Sequence, residues 1–357
     1  MGATCVTLML RTSLITLGDP HRLTGGYLYH RRMAAAAGEH RASLRFESCP
    51  DVPFPFGALA ARSVLRRACR DVDVVVVDSI VAAFLAPWAR GLDTPLAAML
   101  HQVPGGIDHA PLRSRVQARL DERTYRHARL LMVASETLAD DLKTRDFAPE
   151  RIRVVAPGRD PARPGGPPPD LRAGRRSAFL CVGNWIPRKG ILDVLDALAR
   201  LPLDAATLHL VGDDRADRRY ADSVRARLRD PALANRVVVH GPRPAGEVAA
   251  MYAAADVFVL PSTKEPYGTV LGEALAAGLP LVGWDAGNLP HLVTDGREGV
   301  VVPVGDLDGL ASALSRLVED EDYRHAMARA ARRRGQTLPT WDDTARAFFD
   351  SLRDATA

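Results

Sequence analysis

Short apolar runs alternate with helix-like segments along the whole chain, which is the pattern of parallel sheets covered by helices on both faces. The run at residues 74–77 is hydrophobic at every position, as expected for a strand that is buried on both sides. In the first half we predict strands at residues 6–10, 42–46, 72–77, 96–100, 130–133 and 152–155. In the second half we predict strands at residues 178–182, 207–211, 237–240, 257–260, 281–283 and 300–302. The pattern indicates an α/β protein with two Rossmann-like, doubly wound domains.

A segment rich in proline and glycine, residues 157–169, separates the two sets of strands. Its composition excludes a helix or a central strand and is typical of a stiff linker. We predict a first domain at 1–160, a linker at 161–176, a second domain at 177–338 and a C-terminal helix within 339–357 that crosses back to the first domain. Ligands bind at the carboxyl ends of the strands in such sheets, so we expect the two domains to face a shared cleft.

Composition and charge narrow the class of protein. The 357 residues are 47% hydrophobic and carry a small formal net charge of +4, which does not predict nucleic-acid binding. The four cysteines, Cys5, Cys49, Cys69 and Cys181, lack the spacing of a metal site and are compatible with a reducing compartment. No apolar run is long enough to span a membrane, and the first residues do not match a signal peptide. These features predict a cytoplasmic protein.

The segment at residues 264–278 contains the most informative chemistry. Glu265 lies in a turn after an apolar run, and Glu273 lies early in the small-residue helix that follows. Between them the helix begins, where unpaired amides and the positive end of the helix dipole attract anions. Carboxylates accept hydrogen bonds from pairs of hydroxyl groups, and exposed amides bind phosphates. The segment therefore predicts a binding site for a sugar nucleotide.

A series of short motifs identifies a family. The second half resembles the donor domain of retaining family 4 glycosyltransferases, which have the two-domain GT-B fold. The matching pieces follow the order of that family, and they lie at residues 183–190, 210–213, 239–241, 254–262, 265–273, 287–290 and 295–299. The first half matches more loosely through Gly25, Gly26, His101 and the turn at Ser135. The resemblance implies a transferase that moves a sugar from a nucleotide-diphosphate sugar to an acceptor hydroxyl group, with retention of configuration.

The resemblance also assigns roles to residues of the donor site. It implies that Glu273 binds the ribose hydroxyl groups and that Glu265 faces the donor sugar. Next to Tyr267, the amides of Gly268, Thr269 and Val270 would bind the diphosphate. His101 would contact the donor sugar across the gap between the domains, and Gly25 and Gly26 would let a phosphate or the acceptor approach closely. Contacts to the base are expected from Gly212, Asp213, His240, Gly241 and Arg243.

A metal ion or fixed cations must stabilise the negative charge of the departing diphosphate. Arg188 and Lys189 stand at the expected start of a helix after a strand, where they could supply that charge. Two Asp-x-Asp sequences, at residues 71–73 and 306–308, lie at the starts of a predicted strand and a predicted helix, and we interpret them as structural. We therefore predict a metal-independent reaction without a cofactor.

Two positions depart from the family pattern: Asn184 stands where the family usually has arginine, and His291 stands where it commonly has glutamate. They leave two alternatives open, a GT-B enzyme of the epimerase type and a non-catalytic protein that binds sugar nucleotides. The acceptor, whether a glycan, a lipid-linked molecule or a small molecule, is not indicated. Arginine-rich segments at residues 59–70 and 112–129 are either ordinary solvated faces or a peripheral contact with anionic lipid.

Overall fold

The computed structural model describes residues 9–20, 25–54, 56–160 and 169–356. The chain forms two compact units. The first unit comprises residues 1–158 and 339–357, and the second comprises residues 159–338. Each unit contains one six-stranded parallel sheet with flanking helices, as the alternating pattern predicts.

The first unit is built from β1 (Leu10–Leu17), α1 (Gly25–Ala36), β2 (Ala42–Cys49), α2 (Phe56–Ala68), β3 (Val74–Asp78), α3 (Ala82–Leu85), β4 (Leu96–Leu100), α4 (Pro111–His127), β5 (Leu130–Val133), α5 (Glu136–Thr144) and β6 (Ile152–Val154). The strand order is β2-β1-β3-β4-β5-β6. The order reverses between β1 and β3, and such a reversal opens a crevice at the carboxyl ends of those two strands.

The first strand differs from the prediction. It runs from Leu10 to Leu17, so the predicted strand at residues 6–10 was placed too early; residues 6–8 lie outside the described residues. The hydrophobic pattern does not indicate this strand, because the strand contains the polar residues Ser13 and Thr16, which are buried. Their hydroxyl groups donate hydrogen bonds to the Ala68 carbonyl (2.8 Å) and to Asp78 (3.0 Å), which offsets the cost of burying them.

The second unit is built from β7 (Ser177–Val182), α6 (Ile191–Ala199), β8 (Ala206–Val211), α7 (Arg218–Arg227), β9 (Val237–Gly241), α8 (Ala245–Ala254), β10 (Val257–Val259), α9 (Thr269–Ala277), β11 (Leu281–Trp284), α10 (Leu289–Leu292), β12 (Gly299–Val302), α11 (Leu307–Glu319) and α12 (Glu321–Gln336). The strand order is β12-β11-β10-β7-β8-β9, so this sheet reverses between β7 and β10. The loops that follow β7 and β10 therefore meet at the carboxyl edge of the sheet.

The other predicted strands begin within two residues of the observed ones. Parallel strands buried on both faces are continuously hydrophobic, and β3 illustrates this because its four valines are fully buried. Part of the predicted linker, residues 161–168, lies outside the described residues. After it, Leu171 is buried in the hydrophobic core of the second unit.

The last helix, α13 (Trp341–Thr356), belongs to the first unit. The prediction of a C-terminal helix that crosses back to the first domain is therefore confirmed. Its apolar face, which includes Phe348, Phe349 and Leu352, is fully buried, and the Thr344 hydroxyl donates to the Ala156 carbonyl at 2.8 Å. Among the described residues, no helix has both the length and the hydropathy that crossing a bilayer requires.

Candidate functional site: a cation cluster and an adjoining cavity

The loop after β7 approaches the loop after β10 within the second unit. A short 3₁₀ turn, Pro187–Lys189, is followed by Gly190, whose φ of 67° lies in the left-handed region. A Cβ at Gly190 would overlap the Pro261 carbonyl oxygen and come within 3.0 Å of the Pro261 ring. Glycine is needed here both for its backbone conformation and for its lack of a side chain. The close approach brings the two basic residues of the turn next to Glu265.

Arg188, Lys189 and Glu265 form a largely buried ion cluster. Lys189 Nζ makes an ion pair with Glu265 Oε2, and Arg188 Nη1 lies 3.6 Å from the same oxygen. Arg188 also donates to the Lys264 carbonyl at 2.8 Å. The side chains of Lys189 and Glu265 are only 11% and 12% exposed, so water screens this cluster weakly. Two positive charges and one negative charge leave a net positive charge that favours an anionic ligand.

Helix α9 begins beside this cluster. Gly268 precedes the helix with φ of 77°, and a Cβ there would lie 2.9 Å from Glu265 Cγ. Thr269 and Val270 occupy the first turn, where amides have no partner within the helix and can bind an anion. The predicted residues Glu265, Gly268, Thr269 and Val270 therefore lie together in one loop and helix start.

Glu273, one turn further along α9, lines a cavity of about 660 Å³. The cavity is mostly apolar and is lined by Asp160, Val182, Ala245, Gly246, Val248, Ala249, Tyr252, Glu273, Ala276 and Ala277. The carboxylate is exposed to the cavity, yet the surrounding protein atoms remove much of its hydration and raise its pKa; Asp160 adds repulsion, and a hydrogen bond from Tyr252 opposes the shift. Burial, followed by the charge of Glu273, raises the pKa of Tyr267 to about 12.

Asn184, Gly212 and Asp213 connect the loops after β7 and β8. The Asp213 amide donates to Asn184 Oδ1 at 3.1 Å, and the Trp185 amide donates to the Asp213 carbonyl at 2.9 Å. Gly212 has φ of 140°, and a Cβ on it would overlap the Gly183 backbone. Asn184, at the position where arginine was expected, thus accepts a hydrogen bond that fixes the neighbouring loop.

His240 and Gly241 are the last two residues of β9, and Arg243 follows the strand. Arg243 Nε donates to the His240 carbonyl at 3.1 Å, and His240 Nε2 lies 2.9 Å from His209 Nδ1. The other nitrogen of His209 lies 2.8 Å from the Leu171 carbonyl, which can only accept, so that nitrogen carries the proton. His209 therefore accepts from His240. Burial lowers the pKa of both imidazoles, which keeps this pair neutral.

The predicted residues of the first unit also lie together. His101 follows β4, and a Cβ at Gly26, in the first turn of α1, would lie 3.4 Å from the His101 ring. Burial, followed by the charge of His30, lowers the pKa of His101 to about 3, so the imidazole is neutral. The His101 amide donates to Ser79 Oγ at 3.2 Å. A Cβ on Gly25, the first residue of α1, would meet none of the described atoms within 4 Å.

The two Asp-x-Asp sequences have structural contacts. Asp73 pairs with Arg11 at 2.7 Å, and Asp306 caps α11 by accepting from the Gly309 amide at 2.9 Å. Within residues 9–20, 25–54, 56–160 and 169–356, no group of three or more His, Cys, Asp or Glu side chains is arranged to hold a metal ion. Metal independence of the reaction stays a prediction.

Three residues of the site were not assigned a role from the sequence, although Asn288 lies within the matching motif at residues 287–290. Tyr252 hydrogen-bonds Glu273, and its hydroxyl group lies 3.3 Å from the Val270 carbonyl. Asp160 lines the cavity. Asn288 forms a hydrogen bond with the loop that carries Glu265. Helical spacing makes Tyr252 look like an ordinary core residue. His291 lies on α10, where its carbonyl accepts from Arg334 at 3.1 Å.

The chain has two Rossmann-like units, and its cation cluster lies where the strand order of the second sheet reverses. This is the arrangement of a GT-B protein. The fold matches sucrose-phosphate synthase from Thermosynechococcus elongatus, with a TM-score of 0.81, 20% identity and coverage of 97% of this chain and 98% of that chain. It also matches HepE from Anabaena in complex with UDP and glucose, with a TM-score of 0.80, 21% identity and coverage of 97% and 100%.

The sequence matches two family models, "Glycosyl transferases group 1" over residues 169–334 and "Glycosyl transferase 4-like domain" over residues 2–158. The chain therefore belongs to the group 1 glycosyl transferases, with the family 4-like N-terminal domain. It is 29% identical to D-inositol 3-phosphate glycosyltransferase of Corynebacterium glutamicum over 64% of this chain and 57% of that protein. The chain thus spans little more than half the length of this curated relative.

Proposed function

We propose that this protein is a retaining glycosyltransferase that moves a sugar from a nucleotide-diphosphate sugar to an acceptor hydroxyl group without a metal ion. The observation that carries the proposal is the cluster of Arg188, Lys189 and Glu265 beside the start of α9. Family membership supports it, as does the likeness to HepE, which was solved with UDP and glucose.

The nucleotide is proposed to occupy the cavity that Glu273 lines. Ionised Glu273 accepts hydrogen bonds from the two ribose hydroxyl groups, which replace the hydration that burial has removed. The apolar walls formed by α8 and α9 cover the flat base, and the amides of Gly268, Thr269 and Val270 bind the diphosphate. Gly212, Asp213, His240, Gly241 and Arg243 remain the proposed contacts of the base, and Asn184 remains a proposed donor-binding residue.

The transfer breaks the bond between the anomeric carbon and the terminal phosphate oxygen of the donor. The electron pair leaves with the diphosphate, and Arg188 and Lys189 stabilise the additional negative charge. The acceptor oxygen forms the new bond on the same face of the sugar, and its proton passes to the departing phosphate oxygen. Glu265, held by Lys189, accepts hydrogen bonds from the sugar hydroxyl groups. His101 is proposed as a further contact of the donor sugar.

We also propose a peripheral contact of the first unit with an anionic membrane surface. Helix α4 exposes Leu112 and Val116 (76% and 51%) among exposed arginines, and α2 exposes Phe56 and Leu59 (67% and 66%). Exposed apolar side chains flanked by arginine are the features with which helices bind anionic lipid. Co-sedimentation with vesicles containing anionic lipid tests this, and an absence of binding at low salt contradicts it.

Nucleotide binding and product analysis test the proposed reaction. A thermal-shift screen against UDP, GDP, ADP, dTDP and their sugar conjugates, with magnesium or with EDTA, should show stabilisation by one nucleotide in both conditions. Coupling constants of the anomeric proton should then show the donor configuration in the product. Conversion of the donor sugar without an acceptor would indicate an epimerase instead. Binding without any turnover would indicate a non-catalytic protein.

A further inference from the structure

The loop between β10 and α9 carries both Glu265 and the first amides of the helix, so its backbone must be held in place. Three of its carbonyl groups accept hydrogen bonds from elsewhere in the second unit. Arg188 donates to Lys264, while Asn288 donates to Glu265 from its backbone amide (2.9 Å) and to Tyr267 from its side-chain Nδ2 (3.0 Å). Asn288 therefore supplies two of these three bonds.

Asn288 can reach this loop because the preceding backbone lies against it. Gly287 has φ of 57°, and a Cβ on it would come within 2.7 Å of the Glu265 amide nitrogen. Asn288 itself is only 3% exposed, so water cannot replace its hydrogen bonds easily. Its side chain must donate to the Tyr267 carbonyl, which a carboxylate of the same shape cannot do.

Resting on the proposed transfer reaction, we propose that Asn288 is a positioning residue that fixes Glu265 and the start of α9 in one rigid arrangement. Its two hydrogen bonds lie on either side of Pro266, whose nitrogen has no proton to donate. They orient the peptide planes before and after this proline. One plane sets the direction of the Glu265 side chain, and the other leads into the amides at Gly268.

A change at Asn288 should therefore affect turnover and binding of the nucleoside part of the donor to different extents. Asn288 holds Glu265 and the start of α9, whereas the base and the ribose of the nucleotide are proposed to bind in the cavity lined by Glu273, which Asn288 does not line. A displacement of about 1 Å in a group that orients the substrate can lower a rate by about 100-fold. Loss of the hydrogen bond from Asn288 Nδ2 to the Tyr267 carbonyl should therefore reduce kcat while leaving the affinity for the free nucleoside, which has no phosphate, nearly unchanged.

The test uses Asn288→Asp, which keeps the size of the side chain and removes the donor. Asn288→Ala removes the donor without adding a charge and separates these two effects. Residue 288 precedes α10 but its side chain makes no capping hydrogen bond to that helix, so neither variant removes a helix cap. Asn235→Asp is the matched control, because Asn235 is exposed in the loop before β9.

We expect both Asn288 variants to lower kcat on the order of 10- to 100-fold, with less than about a 3-fold change in the Kd of the free nucleoside. Amide hydrogen exchange, measured by mass spectrometry, should become faster over residues 265–270 and stay unchanged in the Asn235→Asp control.

Wild-type kcat and wild-type exchange in Asn288→Asp would overturn the proposal. So would a loss of protection throughout the second unit together with a higher nucleoside Kd and a lower kcat, since that result assigns Asn288 a general structural role. If the wild type transfers no sugar but the Asn288 variants show faster exchange confined to residues 265–270, the positioning role of Asn288 is supported and the proposed transferase activity is refuted.

Discussion

Replacing Glu273 with glutamine removes the negative charge from the cavity of the second unit while keeping the shape of the side chain. In the ligand-free protein this carboxylate faces Asp160, hydrogen-bonds Tyr252 and has lost much of its hydration, so its pKa is raised. If its purpose is to accept hydrogen bonds from ribose, glutamine should impair nucleotide binding, because its amide keeps one accepting oxygen and turns the other acceptor into a donor.

The expected loss follows from the number of hydrogen bonds affected. A hydrogen bond to a charged partner contributes about 1.5–3 kcal/mol, and glutamine loses one such bond and weakens the other. We therefore expect a loss of about 2–3 kcal/mol in binding free energy, which corresponds to a nucleotide Kd about 30- to 150-fold higher. The cavity walls and the amides of α9 are unchanged, so the variant should retain weak binding.

The pH dependence of the stability of the ligand-free protein provides a second, independent test of the environment of Glu273. Because the pKa of Glu273 is raised, the folded protein binds this proton more tightly than the unfolded chain does, and Glu273 lowers the stability of the ligand-free protein as pH rises above its ordinary pKa. Glutamine does not ionise. Ligand-free Glu273→Gln should therefore melt at a higher temperature than the wild type near pH 7, and this difference should disappear below about pH 4.

Calorimetric titration of the preferred nucleotide, repeated from pH 5 to pH 8, measures the effect on binding. Affinity of the wild type should weaken toward low pH as Glu273 and the terminal phosphate, whose second pKa is about 6, become protonated, whereas affinity of Glu273→Gln should weaken less because only the phosphate titrates. Glu319→Gln, an exposed change at the end of α11, is the matched control and should behave as the wild type. Wild-type affinity in Glu273→Gln at pH 8 would refute the assignment of Glu273 to the ribose.

Lys189→Ala should lower kcat by about 100- to 1,000-fold with a smaller change in nucleotide Kd, and unchanged turnover would remove Lys189 from the chemistry. The His101 imidazole should not titrate between pH 5 and pH 8 by NMR, because its pKa is lowered to about 3, and a midpoint near its ordinary value would contradict the buried environment. Gly212→Ala should lower the free energy of unfolding in a denaturant titration by more than about 1 kcal/mol, since its Cβ would overlap the Gly183 backbone. Gly241 also has a positive φ but has open space around it, so Gly241→Ala should lower the free energy of unfolding by less than Gly212→Ala does. An equal decrease in both variants would argue against the steric explanation.

Sequence alone was sufficient for the layered α/β architecture. Strands covered on both faces are hydrophobic at every position. Runs such as 74–77, 130–133 and 257–260 can therefore be recognised as strands from the local sequence, without knowledge of the strands beside them in the sheet. The first strand was placed wrongly because its buried polar residues are stabilised by Ala68 and Asp78, which are far away in the sequence. A local pattern contains no information about such partners.

The same distinction applies to the site. Glu265, Glu273, Arg188 and Lys189 could be selected from local motifs, because a turn, a helix start and paired carboxylates are encoded within a few residues. That Lys189 pairs with Glu265, 76 residues away, follows only from the sheet, in which β7 lies beside β10.

The bonds of Tyr252 to Glu273 and of Asn288 to Tyr267 have the same origin. Strand order brings distant loops to one edge of the sheet, and the hydrogen bonds between those loops are formed by the tertiary structure. Local sequence determined which groups are present in this protein, and the sheet topology decided which of them touch.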